Sequence, residues 1–275
     1  MCSFPASLVH MSVCREDELA AVRTLLDGII ERIPKMTPFP LDTSEKRVLA
    51  GMAGTAFNRL GAIRALFEIG ALAEAAILAR SLIELQISAN YVVFGGPDRE
   101  DRARRFLMFE AVQRSKTVDR VLEVTAGEGG GIVDMVSRGK ERLADLRSDR
   151  DAALTEYGDM EKSPRGWAGI SYAEMIRAVD NRIVKDHLYF VYRQIYFSFS
   201  EFAHPTPTAI RHAIPGADPG GTLLPFGVPI YSAMAAGDLF SLAARAGGVS
   251  APSCDDLLSA FERAMPAEIM PRETA

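Results

Sequence analysis

The chain has 275 residues, 48% of them hydrophobic and 24% charged, with a formal net charge of −5. That composition excludes a disordered or low-complexity chain. The acidic balance argues against the broad basic surface of a non-specific nucleic-acid binder, while leaving room for a small basic pocket. There are three cysteines, Cys2, Cys14 and Cys254, and their spacings match no zinc or redox motif. A reduced cytoplasmic protein is the expectation. Cys2 and Cys14 flank His10 without completing a ligand set, so neither a metal nor a cofactor is expected. The first dozen residues lack the basic region and long apolar run of a secretory leader. Translation could start at Met1 or at Met11. No long apolar run is free of charge, so no membrane association is expected.

In chain order, residues 15–33 read as a helix stopped by Pro34, and Pro34, Pro38 and Pro40 form a connector. Ser44 is the expected N-cap of a long helix ending near Ile69, with Gly70 as its stop. Ala71–Phe94 is the next helix, closed by Gly95-Gly96-Pro97. The tight break at Gly70 predicts an antiparallel hairpin of these two helices. A mixed-charge helix runs from Asp98 to about Thr125, and the glycines of 127–131 break it. They make no phosphate loop, because the rest of that motif is missing. Residues 132–157 alternate charge signs and read as a long solvated helix. Trp167, in a loop, is the expected anchor of that loop on the body. Ser171 caps a short helix to about Arg182, and an aromatic helix follows from Asp186 to Ala203. A Pro/Gly-rich loop spans 204–227, and helices at 228–246 and 255–264 complete the chain. No period-two strand pattern is present. The fold class is therefore all-α, a multi-helix bundle of about seven to nine helices, with Ala71–Phe94 and Asp186–Ala203 at its centre. The division is an N-terminal helix and connector over 1–43, a single helical domain over 44–265, and a tail over 266–275.

Two of these helices carry polar stripes. Arg80 and Glu84 are four apart and neighbours on one helix face, in line with Ile87, Ser88 and Tyr91. A 100° projection of the aromatic helix aligns Tyr189, Tyr192, Arg193, Tyr196, Ser200 and His204. If the stripes face each other, Arg80 and Glu84 meet Tyr196, Ser200 and His204, and both charges are buried. The catalytic candidates are thus His204, Arg80, Glu84, Ser200 and Tyr196. Substrate-binding candidates are Arg193, Tyr192 and Tyr91. An unperturbed imidazole titrates near neutral pH, so His204 could move protons. Arg80 or Arg193 could grip a phosphate or carboxylate. The alternative is structural: an ion pair, and a histidine capping a helix C-terminus.

The string Arg80-Ser81-Leu82 with Glu84, then Trp167, then a tyrosine-rich helix with Tyr192, Tyr196, Ser200 and His204, resembles the bacterial family DUF5677 over roughly Ser44 to Thr208. That family in turn is similar to helical proteins of the HEPN superfamily, in which an Arg-x4-6-His motif carries metal-independent RNA cleavage. Arg182 and His187 have that spacing, with Ile183 where a polar residue is usual. The resemblance implies a HEPN-like helical homodimer in a defence or toxin–antitoxin system, acting on RNA or a nucleotide. The other reading is a non-catalytic scaffold that dimerises or binds a protein partner. Whether the chain is an enzyme is left open by the sequence. Small residues at Ala233, Ala235, Ala236 and Gly237 offer a face for a second copy, or for the chain's own core.

Overall fold

Among the residues that the computed structural model describes (16–33, 38–125, 145–158, 166–203, 224–251 and 253–264) there are helices and no strands. The elements are α1 (Glu16–Arg32), α2 (Ser44–Glu68), α3 (Leu72–Phe94), α4 (Arg99–Thr125), α5 (145–156), α6 (Tyr172–Ala178) and α7 (Arg182–Phe190). From α7 the rod continues through a π-helical turn (Val191–Tyr196), α8 (Phe197–Ser200) and a 3-10 turn (Glu201–Ala203). Helices α9 (Leu224–Gly247) and α10 (Asp255–Ala264) follow. The glycine hinge at 127–131, the first half of the charged 132–157 helix, most of the loop after Ala203 and the tail lie outside the described residues.

The α2–α3 hairpin forms as the sequence predicts. Gly70 takes φ +72°. Its N–H donates to Phe67 O at 3.1 Å, and the Ala71 N–H donates to Leu66 O at 2.9 Å. This is the Schellman closure that a left-handed glycine permits. A Cβ at Gly70 would meet no neighbour, so only backbone strain opposes a side chain there. Gly70→Ala is therefore expected to cost about 1 kcal/mol, measured by urea denaturation.

The start of α2 departs from expectation. Thr43, not Ser44, is the N-cap, its hydroxyl accepting from Lys46 N at 3.2 Å. Ser44 is buried, and its N–H donates to Glu100 Oε1 at 2.7 Å, while the Glu45 N–H donates to Glu100 Oε2 at 3.0 Å. A carboxylate from α4 thus covers the positive end of α2. Burial works against the Glu100 charge, but these backbone donors outweigh it and hold the carboxyl below its ordinary value.

Helices α2, α3 and α9 pack on one another to form the centre. Their buried residues include Leu49, Leu60 and Ile63 of α2, Leu82, Ile83 and Ile87 of α3, and Leu239 and Ala243 of α9. Helix α1 adds Leu25, Leu26 and Ile29 to the same core. α3 is long and apolar enough to span a membrane by length and composition, yet its face toward α2 and α9 is core. The aromatic helix lies at the flank of α3, and α9 holds the central place expected of it. The reason is side-chain size. Ala233, Ala235, Ala236 and Ala243 are buried and let α9 approach α2 and α3 closely, whereas the aromatic helix exposes Phe190 and Phe197. Of the small residues named for a second copy, Ala233, Ala235 and Ala236 are buried within the chain, while Gly237 is half-buried and lines a cavity.

Trp167 anchors its loop as expected. It is buried between Tyr91 and Phe106, with ring centroids 5.7 and 5.1 Å away. Arg105 Nε donates to its carbonyl at 2.8 Å.

Candidate functional site

Helix α3 supplies two charges on its outer face. Arg80 Nε lies 3.3 Å from Glu84 Oε1, with side chains 23% and 29% exposed. Both were expected to be largely buried and within reach of Tyr196; the pair is half-buried at the edge of solvent and bonded to Tyr196. The separation meets an ion-pair distance, but Arg80 Nε makes no directed hydrogen bond among the described residues. The directed bonds run through Tyr196. Arg80 Nη2 donates to the Tyr196 hydroxyl at 3.0 Å, and that hydroxyl donates to Glu84 Oε1 at 3.0 Å. The guanidinium also sits 4.9 Å from the Tyr196 ring centroid, over its π face.

Tyr196 is positioned by the π turn, where the backbone ladder lengthens by one residue. Tyr192, one turn back, stacks on the Tyr196 ring at 5.1 Å and 26°. Phe197 meets both rings edge-on and is exposed. A fourth ring comes from α6. The capping box of Ser171 and Glu174 starts that helix and places Tyr172 edge-on to Tyr196 at 6.1 Å. From α2, Arg59 donates Nη1 to Ser81 O at 2.8 Å and feels the Glu84 charge.

Charges in the cluster follow from these contacts. Burial pushes the Tyr196 phenol above its ordinary value, and Glu84 adds to this, against the opposing pull of Arg80. Burial and Glu84 do the same to Tyr172. Both phenols are neutral at physiological pH. Arg80 loses to burial but gains more from Tyr196 and Glu84, so it stays charged. Arg80 therefore meets Glu84 directly beside neutral rings, and Arg59, bonded to Ser81 O, adds a second positive charge within the field of Glu84.

The other sequence candidates separate. Ser200 Oγ turns back to Tyr196 O at 2.6 Å, which makes it a helix side-chain bond within the rod. Arg193 is exposed and lies over Tyr189, 4.9 Å from its ring centroid. Tyr91 packs on Trp167, and the Arg102 guanidinium lies 5.6 Å from its ring. His204 lies outside the described residues. Arg182 and His187 do not converge. α7 starts at Arg182, capped by Asn181, rather than at Asp186. Five residues apart on a helix place two side chains about 140° apart. Arg182 is 93% exposed beside Asp186, while His187 lines a cavity on the other side of the rod.

Sequence reasoning missed Tyr172, Arg59 and a second polar group. Asp238 of α9 accepts Asn90 Nδ2 at 2.6 Å and Gln86 Nε2 at 3.1 Å through Oδ2. The available signal was the i,i+4 pair of amides, Gln86 and Asn90, in an otherwise apolar helix. Among the described residues no group of three or more His, Cys, Asp or Glu could hold a metal ion. Cys2, His10 and Cys14 lie outside the described residues.

No curated protein and no solved structure matches the chain. One family model does, over residues 46–221, which takes in α2 through α8 and with them Arg80, Glu84, Tyr172 and Tyr196. The chain thus belongs to the family of unknown function DUF5677.

Proposed function

We propose that the Arg80–Glu84–Tyr196 cluster binds the phosphate of a nucleotide or RNA, with a base stacking on its aromatic wall. The observation that carries this reading is Arg80, with Arg59 also acting on Glu84, beside a stacked Tyr192–Tyr196 pair whose Tyr192 ring is partly exposed and an exposed Phe197. A guanidinium suits a phosphate through paired hydrogen bonds, and tyrosine and phenylalanine faces take unstacked bases without regard to sequence. π-helical turns occur often at functional sites, and the turn here carries Tyr192 and Tyr196. In the enzymatic form of this reading His204 moves the proton and Arg80 steadies developing charge on the phosphate.

A non-catalytic scaffold is the second reading. It is favoured by the closure of the Arg80–Tyr196–Glu84 bonds on one another and by the acidic chain. A stable dimer belongs to this reading as well, and light scattering at micromolar concentration tests it.

Overexpression and purified-protein assays separate the two. The enzymatic form expects growth arrest, degradation of total RNA, and loss of both in folded His204→Ala and Arg80→Met proteins. A harmless wild-type protein that leaves total RNA intact overturns it. Binding without cleavage, measured with labelled RNA and lost in Arg80→Met, retains the phosphate site alone.

A further inference from the structure

A cavity of about 540 Å³ lies on the side of α3 away from Arg80 and Glu84, between α3, α7, α9 and Ala251 with Ser253–Asp255, which lead into α10. Gln86 sits two residues from Glu84, which places it about 200° around the helix. The two sites are therefore separate. Helices α9 and α10 lie beyond the segment matched by the family.

Asp238 is the chemical centre of this cavity. Asn90, fully buried, and Gln86, nearly so, aim their amide N–H groups at one carboxylate oxygen, Oδ2. The other oxygen, Oδ1, accepts no hydrogen bond among the described residues. Two buried amides on a core helix thus fix one carboxylate and leave half of it available. The cavity wall includes Asp255 and His187 but no lysine or arginine. Its apolar part comes from Val184, Met234 and Leu258. Ile183, Ser241 and Ser253, all exposed, form its open side.

We propose that this cavity binds a small organic cation, an amine or amidinium on an apolar body, with the cationic head on Asp238 Oδ1. A charge-assisted bond to a carboxylate held by two donors suits such a head group. The volume fits a drug-sized molecule. No lysine or arginine lines the wall. Burial pushes the Asp238 carboxyl above its ordinary value while the two amides, His187 and Arg245 pull it back, so a bound cation would be its first directed ionic partner among the described residues. The Gln86–Asn90–Asp238 network would otherwise serve only to fix the register of α3 against α9.

The test is calorimetric titration of the full chain with benzylamine and benzamidine, against benzyl alcohol and benzoate of similar shape. The cations are expected to bind and to raise the thermal midpoint, and the neutral and anionic probes to do neither. Asp238→Asn is expected to lower cation affinity about tenfold or more. Met234→Trp, which fills the cavity without touching the carboxylate, should abolish binding, and it decides the matter should Asp238→Asn fail to fold. Equal binding of benzoate, no amine binding at millimolar concentration, or cation binding unchanged in either folded variant would overturn the proposal and leave the network a structural one.

Discussion

Arg102→Met is expected to lower the unfolding free energy by about 3 kcal/mol, the largest effect among the single substitutions considered. Arg102 stands in α4 but serves α3. Its Nε donates to Tyr91 O at 3.0 Å and Val92 O at 3.2 Å, and its Nη2 to Val92 O at 3.0 Å and Gly96 O at 2.7 Å. The last turn of a helix leaves carbonyls without intrahelical partners. Here a buried guanidinium takes Val92 O, adds a second donor to Tyr91 O, which already accepts from the Gly95 N–H, and ties down Gly96 O beyond the helix. The Asp180 N–H takes Phe94 O, and the guanidinium charge lies at the negative end of the helix dipole. Burial pushes its pKa down, yet an arginine has ample margin to stay charged. Methionine keeps most of the volume and supplies no donor, so the loss falls on the hydrogen bonds. Urea denaturation followed by circular dichroism measures it. Arg99→Met is the control, since Arg99 is exposed and meets Glu45 only at 3.5 Å, and it should leave the midpoint nearly unchanged. Equal midpoints for both variants would mean that the α3 carbonyls find other partners.

That capping role was invisible in the sequence, and the reason is general to this chain. What could be read early rests on local rules. The α2–α3 hairpin follows from Gly70, because only a residue free of Cβ takes that φ without strain. The Arg80–Glu84 pair follows from its spacing, and its meeting with Tyr196 from the assumption that two polar stripes on apolar helices pack together. What could not be read rests on tertiary partners. Ser44 is a good cap by type, but Glu100, 56 residues away, supplies the bonds at that end and leaves the cap to Thr43. The last long helix is apolar with small residues all round, a pattern equally suited to a second copy or to the chain's own core. The structure shows α9 packed on α2 and α3 within the chain.

The aromatic helix shows a different limit. A 100° projection assumes an unbroken α ladder, and the π turn at Val191–Tyr196 breaks that assumption. Tyr192 and Tyr196 stay together through ring stacking, while Arg193 leaves for the Tyr189 face. Asp238 reads in sequence as an interruption of an apolar run. Its meaning depends on Gln86 and Asn90, about 150 residues earlier in the chain, and a single sequence offers no means to connect them.

Replacing Arg80, Glu84 and Tyr196 together by Met, Leu and Phe is expected to restore most of the stability that either charge substitution alone removes. Arg80→Met leaves Glu84 with the tyrosine hydroxyl and with an Arg59 that is bonded to Ser81 O instead; Glu84→Leu leaves the Arg80 cation without its carboxylate. Each single change is expected to cost about 1–2 kcal/mol, because a half-buried charge loses its partner. The triple variant removes the desolvation cost with the charges and strands no phenol, so its stability should return to within about 1 kcal/mol of wild type. The geometry supports this sign. Arg80 and Glu84 border solvent, their contact at 3.3 Å is not a directed hydrogen bond, and the bonds that are directed all pass through one hydroxyl. Such a cluster contributes little net to folding. A stable triple variant that no longer binds labelled RNA would separate the two roles and assign the charges to the ligand. If the triple variant instead loses as much stability as the single changes combined, the cluster holds α3 to the aromatic helix, and the phosphate reading falls with it.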